Sequence, residues 1–392
     1  MSRPLWAVLV SAGTLVATLA VPPLPARADH SGPERRALAA ALDQLVADGF
    51  PAAVAFGRVD DRRWQVAAGV ADRSTGARAR PDDRFRIASN TKAFVSTVLL
   101  QLVGEGRLTL DDPVERWLPG VVRGNGNNGS TITVRQLLNH TSGIWDPTGQ
   151  RSFWAPYLDE HDWDRVIPPR TVIAAAMAHR PDFAPGTSWG YSNTNYLLAG
   201  LVIEAVTGRG AANEVRRRII GPLGLSQTSF PVVDPEIHGR HLHGYDLTGR
   251  DVTTFSPSYD WTAGAMISTT ADLARFHRAL FGGRLLAPAQ QRELETVVPM
   301  DDSPDGYGYG YGLGVQRMAV PCATGPTPVW TTDGGGPGFT SIAVTSLDDS
   351  RQLVLAGNVY DIDRDVRGQA PVPASAGALA ALRSVLCADD VR

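Results

Sequence analysis

Strand-like apolar runs stand near both ends of this chain, and runs of helical period fill the middle. Residues 52–59 and 64–70 are β-like and separated by Asp60-Asp61-Arg62-Arg63, which predicts a hairpin. Such runs return at 309–316, 329–332, 339–347 and 352–359. Between them, apolar side chains recur at three- and four-residue spacing. From Ser89 the stripe is Val95, Val98, Leu99, Leu102 and Val103, ended by Gly104 and Gly106. Helices are also predicted at 34–48, 134–139 (capped by Thr133), 170–180, 193–206, 211–220, 271–281, 288–297 and 374–386, with 252–266 read as loop. This order predicts one sheet assembled from both chain ends, interrupted by a helical insertion. Five aromatics crowd residues 144–168, Trp145, Phe153, Trp154, Tyr157 and Trp163. They predict an irregular lobe, either a cleft wall or simple packing.

The first residues belong to a different category. Arg3 precedes an apolar run at 5–20, followed by Pro22, Pro23 and Pro25 and then Ala26-Arg27-Ala28. This is the pattern of a secretory signal peptide cut after Ala28. The alternative, a retained anchor, needs about 20 clean apolar residues, and prolines follow too soon. The expected product is a secreted chain spanning 29–392, without stable membrane insertion. Export gives Cys322 and Cys387 two options, a disulfide in an oxidising compartment or two separate buried thiols. A net charge of −3 argues against a basic nucleic-acid binder.

One basic residue stands apart. The chain has 37 Lys and Arg together, and Lys92 is the only lysine. It follows Ser89 by three residues at a predicted helix start, so the two side chains share a face. That face continues into Val95 and Leu99, which turns Lys92 toward the core. Burial and the positive helix N-terminus both lower the pKa of an amine. A deprotonated Lys92 could take the Ser89 proton, which an arginine could not do.

Two further stretches carry candidate chemistry. In Tyr191-Ser192-Asn193 a tyrosine could relay protons, and an asparagine could hold an amide. In Thr331-Thr332-Asp333-Gly334-Gly335-Gly336-Pro337-Gly338 the glycines let backbone approach a ligand. A strand-edge N–H there could complete an oxyanion hole with the Ser89 N–H. The other matches read as structural. Gly186-Thr187-Ser188-Trp189-Gly190 lacks the strand that a nucleophile elbow needs. Gly124 to Gly129 fits Gly-x-Gly-x-x-Gly without a strand before it or a helix after it. His238, His241 and His243 read as a solvated loop, and His140 as a structural residue at a helix end. No metal or organic cofactor is expected.

In this order the motifs resemble the superfamily of serine β-lactamases and penicillin-recognising D-alanyl-D-alanine carboxypeptidases, in particular the class C and secreted carboxypeptidase branch. The resemblance runs from about Leu38 to the C-terminus. It also includes Val103-Gly104-Glu105-Gly106-Arg107-Leu108-Thr109-Leu110-Asp111-Asp112-Pro113, Ile132 through Gly143, and Asn195-Tyr196 with Gly200-Leu201. It implies an α/β (α+β) fold with an antiparallel sheet built from both chain ends, flanking helices and an all-helical subdomain inserted at roughly 108–250. It implies that Ser89 is acylated, Lys92 is its base, Tyr191 shuttles the proton and Asn193 binds the substrate amide.

The third motif departs from the family's Lys-Thr-Gly, His-Thr-Gly or His-Gly-Gly. The aligned triad is Thr332-Asp333-Gly334, or Asp333-Gly334-Gly335 after a one-residue shift. The oxyanion N–H then comes from Gly335, or from Gly336 under the shift. Thr332, Asp333 and Gly335 are expected at the substrate, with Arg317 as a compensating charge if it reaches the cleft. An acid there repels a substrate carboxylate by roughly 1–4 kcal/mol. A monomeric serine hydrolase acting on a small peptide or ester is expected. Carboxypeptidase-like action on peptidoglycan-type peptides ranks first, then an esterase or D-amino-acid amidase, then a β-lactamase. The alternative outside catalysis is a secreted binding protein with a degenerate site.

Overall fold

The strands predicted at the two chain ends meet in one sheet. The computed structural model describes residues 32–300 and 310–387; the expected signal segment 1–28 and Tyr309 lie outside the described residues. Strands β1 (Ala52–Val59), β2 (Arg62–Asp72) and β3 (Ala77–Arg78) come from the first part of the chain. The last hundred residues supply β4 (Val298–Pro299), β5 (Gly310–Tyr311), β6 (Gln316–Cys322), β7 (Gly325–Gly336), β8 (Phe339–Ser346) and β9 (Arg351–Gly357). They form a nine-stranded sheet in the order β3-β2-β1-β9-β8-β7-β6-β5-β4, with every pairing antiparallel. Among the described residues, 108–250 contribute no strand to it.

The main helices are α1 (Pro33–Ala47), α2 (Thr91–Gly104), α3 (Val134–Leu138), α4 (Pro169–Met177), α5 (Asn193–Thr207), α6 (Trp261–Gly264), α7 (Thr270–Phe281), α8 (Pro288–Glu295) and α9 (Ala376–Leu386). Period-two alternation divides β1 between two cores. Ala53 and Ala55 meet Leu38, Leu42 and Leu45 of α1 and Val385 of α9. Ala52 and Val54 belong to the larger core around α2 and α7. Helix α2 is buried on all sides from Thr91 to Leu100, so it runs through the molecule's centre rather than along its surface. Val95, Val98 and Leu99 are each fully buried and contribute roughly 1.5–3 kcal/mol apiece. Lys92 is the charged exception within that helix.

Two sequence expectations need correction. The strand expected at 309–316 is only the two-residue β5, and the long strand is β6. Gly314 turns with φ 79° and breaks the run, whereas residues 316–322 pair fully with β7. Residues 252–266 are more than a loop, because they carry a 3₁₀ turn at Pro257–Tyr259 and then α6. The aromatic lobe is packing: Phe153, Trp154 and Tyr157 converge on Tyr259, with ring centroids 4.9–6.0 Å away. It therefore supports the segment leading into α6. Cys322 and Cys387 are disulfide-bonded, which ties the end of β6 to the end of α9.

Candidate active site

The centre of the site is the junction where α2 begins. A 3₁₀ turn at Ala88–Asn90 feeds the helix, and Ala88 holds φ 42°, a left-handed conformation uncommon for a residue with a side chain. The turn presents Ser89 to the cleft and sends Lys92 inward. Lys92 is 1% exposed, yet its ammonium has three acceptors. Nζ donates to Ser89 Oγ at 2.9 Å, to Asn193 Oδ1 at 2.7 Å and to the carbonyl of Ala263 in α6 at 2.9 Å. Tyr191 completes the set, its hydroxyl 2.7 Å from Ser89 Oγ. Ser89 Oγ is therefore the shared vertex between an amine and a phenol.

Each partner is held from behind. The Asn193 amide also donates to Thr148 Oγ1 at 2.9 Å, and its backbone N–H donates to Asp146 Oδ2 at 2.8 Å. Both polar ends of the Asn193 side chain are thus engaged within the protein, and its first partner is Lys92. His140 is a prop, as expected. Its ring lies 4.4 Å from the Tyr191 ring, and Nδ1 accepts from the Ser192 N–H at 3.2 Å. Sequence reasoning missed Asp146, Thr148, Asp260 and Ala263. Only the helix-period signal could have found α6, and four residues are too short to show it.

The electrostatics bring the amine within reach of its neutral form. Burial lowers Lys92 to about 8, against the opposing pull of Asp260, Asp146 and Asp333. Burial raises Asp260 to about 6, with Lys92 opposing and Asp146 assisting. Asp146 is likewise raised by burial, against hydrogen bonds from Asn193 and Thr148. Tyr191 is pushed well up by desolvation, against its bond to Ser89, and Asp333, Asp260 and Asp146 push it further. Tyr191 is 40% exposed, so contact with water offsets part of that desolvation. Near neutral pH the phenol keeps its proton while Lys92 can give one up.

The third motif forms the opposite wall. Pairing of β6 with β7 ends at Gln316 opposite Thr331, while β7 continues to Gly336 paired only with β8. One edge of residues 332–336 is therefore unpaired among the described strands. A Cβ on Gly334 would collide with the Ile87 carbonyl and lie 3.0 Å from the Ser89 backbone nitrogen. Only glycine lets the strand come this close to the nucleophile.

Alternation then sorts the side chains. Asp333 is exposed, electrostatically coupled to Lys92 and Tyr191, and receives a hydrogen bond from Gln316 Nε2 at 2.7 Å. Thr332 is corrected as a substrate contact. It is 4% exposed, and its hydroxyl donates to Asn90 Oδ1 while bonded to His277 Nε2 at 2.8 Å. Asn90 also donates to Ser341 Oγ at 3.0 Å, so Thr332 locks the nucleophile turn to the sheet. Arg317 is corrected as a compensating charge. It pairs with Trp330, which stacks on Phe281 of α7, so it lies on the strand face opposite Gln316 and Asp333. It is Gly334, the last residue of the length-matched triad Thr332-Asp333-Gly334, that meets the nucleophile turn. A Cβ on Gly335 would press into the Tyr360 ring, so that residue too must be small.

With this geometry, the sequence matches the family described as "Beta-lactamase" over residues 38–377. The chain belongs to the beta-lactamase family. Among solved structures it is similar to a D-stereospecific amidohydrolase from Streptomyces sp., at 41% identity and TM-score 0.79, covering 90% of this chain and 98% of that one. It is also similar to D-amino acid amidase from Ochrobactrum anthropi SV3, at 26% identity and TM-score 0.73, with the same coverages. Among curated proteins, Esterase EstB of Burkholderia gladioli is 37% identical over 44% of this chain and 45% of its own length. Protein flp of Staphylococcus aureus (strain COL) is 32% identical over 52% of this chain and 40% of its own length. The chain thus spans less than half the length of these two curated relatives. The β-lactamase-type fold, with its antiparallel sheet and flanking helices, is what the resemblance implied.

The remaining motifs stay outside the site of this family member. Ser188 lies in a loop with no strand before it. Gly124 to Gly129 contains a small hairpin of Arg123–Gly124 with Asn127–Asn128. His238 pairs with Asp234 and His243 with Asp251; no metal-binding group of side chains occurs among the described residues.

Proposed function

We propose that this chain is a secreted serine hydrolase that forms an acyl-enzyme on Ser89 and cleaves D-aminoacyl amides and esters. The observation that carries the reading is the hydrogen-bonded set in which Ser89 Oγ touches both Lys92 Nζ and Tyr191 OH. In the first step neutral Lys92 takes the Ser89 proton, Oγ bonds to the substrate carbonyl carbon, and the carbonyl π pair moves onto oxygen. The Ser89 N–H and the open edge of β7 lie where that oxyanion develops. On collapse the C–N or C–O bond breaks. The departing atom takes the Tyr191 proton, and the Lys92 ammonium restores it. Water then attacks the ester, its proton retraces this route, and Ser89 is released with the free acid.

The substrate class rests on similarity to two solved proteins named for D-specific amide hydrolysis and on Asp333 in the cleft. A carboxypeptidase must bind a terminal carboxylate, and Asp333 opposes that, so this reading falls behind the amidase and esterase. Secretion follows from the segment at 1–28, and the working form is a monomer.

The test uses a fluorophosphonate probe and turnover of p-nitrophenyl acetate and D-phenylalanine amide. The wild type should be labelled and should hydrolyse both, whereas Ser89→Ala should lose labelling and about 10⁴-fold or more of turnover. Equal labelling of Ser89→Ala, or a wild type inert toward both substrates, would overturn the proposal.

A further inference from the structure

We propose that Asp333, braced by Gln316, is an ammonium-binding subsite beside Ser89, and that it reads the free amine of the substrate's aminoacyl group. The proposal rests on the reading of Ser89 as the acylated residue and adds the feature by which a substrate is chosen.

Three observations support it. The first is position. Asp333 precedes Gly334, whose backbone is pressed against the Ser89 nitrogen, on the strand edge that the oxyanion faces. In an aminoacyl substrate the amine is one carbon from the reacting carbonyl. A group that contacts the amine must therefore lie close to the oxyanion site in space, and Asp333 stands two residues before Gly335 on that edge. The second is the bracing. Gln316 donates to Asp333 Oδ1 at 2.7 Å, which fixes the carboxylate without neutralising it. Among the described residues no arginine or lysine forms an ion pair with Asp333. Arg317 lies on the far face of the strand, against Trp330.

The third is the field of the cleft. The charged groups acting on Lys92 are Asp260, Asp146 and Asp333, and the same three act on Tyr191. One amine that is partly neutral near pH 8 faces three carboxyl groups. Such a cleft attracts a cation and repels an anion. Asp333 is the one of the three exposed to incoming ligand; Asp146 and Asp260 are partly buried behind Asn193 and α6. The ammonium of an aminoacyl amide fits that charge, and an N-acylated analogue of the same shape does not.

The experiment compares D-phenylalanine amide with N-acetyl-D-phenylalanine amide as competitors of p-nitrophenyl acetate turnover, in the wild type and in Asp333→Asn. The readout is the ratio of the two inhibition constants within each protein. A general loss of activity affects both competitors alike and leaves the ratio unchanged. The wild type should favour the free amine by about tenfold, the scale of one charge-assisted hydrogen bond. Asp333→Asn should bring the ratio to within about twofold of unity. A wild-type ratio near one overturns the subsite, whether or not the variant folds, and so does a preference that survives in a folded Asp333→Asn. Failure of the Ser89 reading is distinct, since the ester is then not turned over at all. The two amides are then compared by calorimetric binding to the wild type, with the same expected ratio.

Discussion

The two walls of the cleft are built on opposite principles. The start of α2 is enclosed and fully bonded: Lys92 has three hydrogen-bond acceptors, and Asn193, Thr148 and Asp146 brace one another behind it. The β7 edge opposite is open, paired on one side from Thr332 to Gly336, and carries one exposed acid. The first wall can tolerate little change, because each polar atom removed strands another in a low-dielectric site. The second tolerates change wherever a side chain points outward. Chemistry is held by the closed wall and selection by the open one.

The sharpest way to break this contrast is to keep the charge of the closed wall and remove its chemistry. Lys92→Arg keeps a cation that cannot deprotonate, and it should cost about 10³-fold in acylation rate. In the wild type, burial has lowered Lys92 to about 8, so the neutral base appears as pH rises. Acylation should climb with pH and level off above about 8, and that limb should vanish in Lys92→Arg. Stopped-flow acylation across pH measures both; a wild-type rate that falls over that range would refute the assignment of the base.

Tyr191→Phe should cost about 10²-fold. The loss should be greater for amides than for p-nitrophenyl esters, because a nitrophenolate leaves without a proton. Equal losses on both would remove the shuttle role. The smallest effect belongs to the bracing charges. Asp260→Asn removes an anion that holds the Lys92 pKa up, so the midpoint of the pH–rate limb should move down, by less than about one unit. An upward movement would mean that Asp260 acts through packing instead.

Much of this was legible beforehand, for identifiable reasons. Ser89, Lys92 and Tyr191 could be found because the chemistry demands particular residue types, and one lysine among 37 basic residues cannot pass as surface charge. Strands β1, β8 and β9 were legible because both their faces are largely buried and each carries a short apolar run. Helix α6 was not, since four residues give no period, yet its Ala263 carbonyl is one of the three Lys92 acceptors. Backbone groups of this kind leave no trace in composition. Arg317 was misjudged and Gln316 missed for a related reason. Which of two neighbours faces the cleft depends on register, and Gly312–Gly314 obscured where β6 begins.

The contact between Gly334 and the nucleophile turn has a consequence for descent. Position 334 is barred to every side chain, since even a methyl group would strike Ile87, while position 333 beside it is open. A single codon change at 333 can therefore exchange the charge there without moving the backbone that meets the nucleophile turn.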